Sequence, residues 1–77
     1  MTDQPETQNV DSTAEQIFAY ICQYNDEHGY PPSVREIATA CYIGRSSVHQ
    51  YLYRLEAKGW ISREPGRARG ITILRLH

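Results

Sequence analysis

No apolar run in this 77-residue chain approaches the roughly 20 residues that a helix needs to cross a bilayer. Its opening, MTDQPETQNVDST, lacks both the basic flank and the apolar centre of a secretory signal. A soluble, cytoplasmic protein without a membrane partner is expected. Cysteine is scarce, with only Cys22 and Cys41 present. They form no CxxC pair and have no histidine at ligand spacing, which excludes a disulfide scaffold and a zinc site. Both fall within apolar helical patterns and are read as reduced packing residues. No metal ligand set and no cofactor are expected. Ser46 and His49 stand three apart, but no acid is placed to orient the imidazole and no glycine-rich loop could cradle a phosphate, so no catalytic residue is assigned and an enzyme is not expected.

Lysine and arginine are absent from residues 1–32, which hold six acids, whereas residues 33–77 hold eight bases and three acids, a local net of plus five. One half therefore suits a polyanion. The length allows one small domain, hiding about 60% of its extended surface. Residues 1–11 carry no large apolar side chain except Met1 and Val10 and are expected to be a flexible polar tail, with residues 12–77 as the folded domain.

Within that domain, STAEQIFAYICQYNDEHG reads as a first helix. Ser12 and Glu15 are spaced as a capping box, Ile17, Phe18, Ile21, Cys22 and Tyr24 form its apolar stripe, and Gly29 suits its left-handed end. His28 falls near that end, where a positive charge is favourable, and carries no assigned function. The YPP that follows is extended. A second box, Ser33 to Glu36, starts the short helix VREIATAC with Val34, Ile37, Ala38 and Cys41 inward. Gly44 is the turn residue best able to take positive φ, and a third helix runs from about Ser46 to Lys58 before Gly59 stops it. Then the period shifts from 3.6 to 2. WISRE and GITILRL read as strands joined by PGRAR, with Pro65 and Gly66 at the centre of a type II turn.

Two helices joined by a short turn, followed by a hairpin, make a mainly helical winged helix-turn-helix. On the third helix Val48, Leu52 and Leu55 share an inward sector. Ser46, Gln50 and Tyr53 point outward, flanked by Ser47, His49 and Arg54. Short hydroxyl, amide and imidazole groups suit base edges in a major groove better than the Glu and Lys of an ordinary surface helix. Arg67 and Arg69 at the hairpin tip suit backbone phosphates or a minor groove. Tyr51 and Trp60 are read as packing residues.

The blocks GYPPSVREIA, SSVHQYLYRLEAKGWI and REPGRARGITIL together resemble the N-terminal winged helix-turn-helix domain of LexA-type repressors, over about residues 12–74. The resemblance implies a sequence-specific regulator of transcription, a repressor, bound to double-stranded DNA on a bacterial or phage-like nucleoid. It places base contacts on Ser46, Ser47, His49 and Gln50. Backbone or flanking contacts fall on Ser33, Arg45, Tyr53, Arg54, Arg67 and Arg69. Three departures stand out: a turn one residue shorter than in LexA itself, Tyr42 in place of a turn glycine, and Thr13-Ala14 in place of Arg-Gln. LexA repressors also carry a C-terminal self-cleaving peptidase and dimerisation domain. The sequence stops at His77 without a Ser-Lys dyad, so self-cleavage is not expected of it. One recognition helix reads too few base pairs to single out a genomic site, so a homodimer, or paired binding on repeated half-sites, is expected. The competing reading is a winged-helix module that binds protein within a larger regulatory complex.

Overall fold

The computed structural model describes residues 5–75. Three helices, α1 (Pro5–His28), α2 (Val34–Cys41) and α3 (Arg45–Ala57), precede strands β1 (Ile61–Arg63) and β2 (Ile71–Ile73). This is the mainly helical, winged helix-turn-helix order read from the sequence. The strands pair antiparallel with Ile61 opposite Ile73 and Arg63 opposite Ile71. They are three residues each, shorter than the β-rich runs that contain them.

Helix α1 begins at Pro5, so Ser12 and Glu15 lie inside it and do not cap it. Proline is accommodated at a first helical position because that N–H has no intrahelical partner, and a helix extends more readily than it nucleates. Met1–Gln4, the rest of the expected tail, lie outside the described residues. The far end follows the sequence: Gly29 has φ +82° and donates its N–H to the Asn25 carbonyl at 2.8 Å.

One core joins all the elements. Helix α1 contributes Ala14, Ile17, Phe18, Ile21 and Cys22, α2 contributes Ile37, α3 contributes Val48, Leu52 and Leu55, and the hairpin contributes Ile61 and Ile71. Each fully buried Ile or Leu gains about 1.5–3 kcal/mol by leaving water. Cys41, Tyr51 and Trp60 pack at the edge of this cluster, and Trp60 has the Phe18 ring 5.1 Å away and the Arg75 guanidinium 3.9 Å from its centroid.

The start of α2 is fixed by the expected box. The Glu36 N–H donates to Ser33 Oγ at 3.2 Å, and the Ser33 N–H donates to Glu36 Oε1 at 2.9 Å. The turn into α3 differs from expectation. Its left-handed residue is Tyr42 (φ 59°, ψ 42°), the C-cap of α2, while Gly44 is extended (φ −74°, ψ 160°) and forms the N-cap of α3. The chain must reverse immediately after the last residue of α2, which is position 42, so the freedom of Gly44 comes two residues too late.

Candidate nucleic-acid interface

Burial of Val48, Leu52 and Leu55 fixes the rotation of α3 about its axis. Arg45, Ser46, His49, Gln50, Tyr53 and Arg54 are exposed and Ser47 is half-buried at the edge. His49, Gln50, Tyr53 and Arg54 line one shallow depression on the outer face. The first turn of α3 has no side-chain cap, so its N–H groups remain available to an anion, between Arg45 and the two serines.

Beside this face lies a cleft of about 490 Å³ between the start of α2, the start of α3 and the wing; Ser33, Arg35, Arg45, His49, Arg63 and Arg67 are among its walls. Four arginines and one acid, Glu64, thus face one concavity, and its walls concentrate the field of the net positive charge. The wing is held in shape by its turn. Glu64 to Arg67 close at 3.4 Å around Pro65 and Gly66, and Gly66 has φ +81°, as a type II turn requires. At Gly70 a Cβ would stand 2.6 Å from the Glu64 carbonyl oxygen, so only glycine lets Glu64 N–H reach the Gly70 carbonyl at 2.8 Å.

The two wing arginines differ. Arg67 is exposed, and its Nε stands 3.8 Å from Glu64 Oε1. Arg69 turns away from the cleft, which it does not line. Its Nη1 and Nη2 donate to the two Glu36 carboxylate oxygens at 2.8 and 3.0 Å, Nη1 also donates to the Pro31 carbonyl at 2.9 Å, and the guanidinium lies 4.8 Å from the Tyr30 ring centroid. Tyr24 completes the cluster by donating to Glu36 at 3.1 Å. The Arg69 fork beside Glu36, reinforced by the Ser33 N–H and the Tyr24 hydroxyl, holds the carboxyl well below its usual range, at about 2. Arg69 is therefore a strut between the wing and the α1–α2 corner.

Arg35 and Arg63 were not singled out from the sequence, though each carried a signal. Arg35 is a cation in the first turn of a helix, where the macrodipole disfavours it. Arg63 shares a strand face with Ile61, which is buried, so its side chain leaves the strand on the side of α3. There its Nη2 lies 3.0 Å from His49 Nδ1. His49 thus meets a cation and not the acid that a catalytic imidazole would need. Among the described residues, no group of three or more His, Cys, Asp or Glu is placed to hold a metal ion, and no helix is long and apolar enough to cross a membrane.

A family model described as LexA DNA binding domain matches residues 9–70. The LexA repressor of Shouchella clausii is 51% identical over 63 residues, which are 80% of this chain and 30% of that protein. The LexA repressor of Moorella thermoacetica is 48% identical over 59 residues, 75% of this chain and 29% of that protein. That of Geobacillus kaustophilus is 51% identical over 61 residues, 78% of this chain and 30% of that protein. The chain thus spans about three tenths of the length of these relatives.

Proposed function

This chain belongs to the LexA DNA-binding domain family, and from that membership and the arginine-lined cleft we propose that it is a sequence-specific repressor of transcription that binds double-stranded DNA. Helix α3 enters the major groove, with Ser46, Ser47, His49 and Gln50 toward base edges. Ser33, Arg45, Tyr53 and Arg54 lie along the flanking backbone. Arg67 and Arg69 reach phosphates or the minor groove, and Arg35, from the opposite wall of the cleft, adds a further phosphate contact. Two copies act together, as a homodimer or on repeated half-sites.

The observation that carries this reading is the convergence of Arg35, Arg45, Arg63 and Arg67 on one concavity beside the polar face of α3, in a chain whose formal net charge is only −1. A surface that merely kept the molecule soluble would intersperse its charges. With about four phosphates neutralised per protomer, log K for duplex DNA falls against log salt with a slope near −3.6. Selection from a random duplex pool then yields a repeated motif. A slope near zero together with an unselected pool refutes the proposal.

A further inference from the structure

The contact between Arg63 and His49 decides what the recognition helix can read. A guanidinium has five N–H donors and no acceptor, whereas a neutral imidazole donates from one ring nitrogen and accepts at the other. With Arg63 Nη2 at 3.0 Å from His49 Nδ1, Nδ1 can only accept, so the ring proton resides on Nε2. The strand end that presents Arg63 is anchored, because Ile61 on the same strand and Ile71 directly opposite are both buried. His49 itself is exposed, one residue after the buried Val48. The bond therefore fixes the ring of a groove-facing side chain from a rigid support on another element.

We propose that Arg63 is a positioning residue that holds His49 in the Nε2–H tautomer, so that α3 offers a donor at this position and selects a base edge with an acceptor: guanine O6 or N7, adenine N7, or thymine O4. The acceptor-only presentation of Nε2 is suppressed, and with it readout of the cytosine N4 amino group. A histidine without such a partner exchanges between tautomers and discriminates less. This inference rests on the DNA reading above, but its first step concerns the free protein and stands apart from binding.

The test has two arms. In the long-range proton–nitrogen correlation spectrum of the free, nitrogen-15-labelled protein at mildly alkaline pH, the wild type shows His49 protonated on Nε2 alone. Arg63→Gln, whose amide both donates and accepts, gives averaged tautomers, and Arg63→Lys restores the wild-type pattern. In the second arm, the random duplex pool is selected with the wild type, Arg63→Gln, His49→Ala and the double variant. A preference of about tenfold at one base pair per half-site, the scale of a single good base contact, collapses to under about threefold in Arg63→Gln. The same substitution in the His49→Ala background changes no base preference. Averaged tautomers in the wild type overturn the proposal. So does an Arg63→Gln variant that binds every duplex more weakly with its preferences intact, since Arg63 would then be a plain phosphate contact. A wild type that selects no sequence at all refutes the DNA reading itself, a result distinct from either.

Discussion

At the residue scale, Arg67 and Arg69 show how chemically equal side chains acquire different tasks. Their type and spacing placed both at the hairpin tip, and this much was legible because turn chemistry is local. The partner of Arg69 was not legible, because Glu36 lies 33 residues away and was already accounted for by its capping box. With the Glu36 carboxyl held at about 2 against its ordinary 4.5, the folded state binds this proton less readily than the unfolded one. The ion cluster therefore contributes fully above about pH 4.5 and is lost as pH falls toward 2. Melting temperature in the wild type drops across that window, and the drop is shallower in both Arg69→Ala and Glu36→Gln; equal acid profiles for the three proteins contradict the assignment. Tyr42 offers the opposite case. It is 93% exposed and left-handed (φ 59°), a conformation that costs a residue with a Cβ about 1–2 kcal/mol. Tyr42→Gly stabilises the domain by about 1 kcal/mol, which raises the melting temperature by about 4–8 °C, and calorimetry that finds no gain or a loss excludes backbone strain there.

At the element scale, α2, α3 and the hairpin were readable because each declares its own limits: a Ser33–Glu36 box, a Val48–Leu52–Leu55 stripe ended by Gly59, and a Pro65–Gly66 turn. The start of α1 was not. The Ser12–Glu15 spacing imitates a cap, and a rule that sees four residues has no means of knowing that the helix continues back to Pro5. The outward side of α3 was legible from the wheel alone, whereas the cleft needed three elements brought together and so hid Arg35 and Arg63. Division of labour between helix and wing follows. Gln50→Ala chiefly relaxes sequence preference, at about 1–3 kcal/mol for the position it reads. Arg67→Ala weakens all duplexes alike and makes the salt slope shallower by about 1. Titrations on selected and random duplexes at several salt concentrations separate the two, and equal effects on both kinds of DNA would overturn the division.

At the scale of the whole molecule, acids crowd the first 32 residues and bases the remainder, so a small net charge coexists with a basic stretch of chain that suits a polyanion. One recognition helix discriminates about four base pairs at about 1–3 kcal/mol each, too little against the competing sites of a genome. Footprinting at saturating protein accordingly shows two protected half-sites, spaced by about one helical turn or a multiple of it; protection confined to a single half-site counts against paired binding. The strut of Arg69 on Glu36 adds a consequence that no contact map of bases would contain. The wing is moored at its strand stem and again at the helical corner, so the angle between wing and α3 is set before any duplex arrives. A duplex bound as proposed would have to conform to the protein. Steps that flank the contacted bases, by how willingly they let a groove open or narrow, will then be felt as affinity although no side chain reaches them.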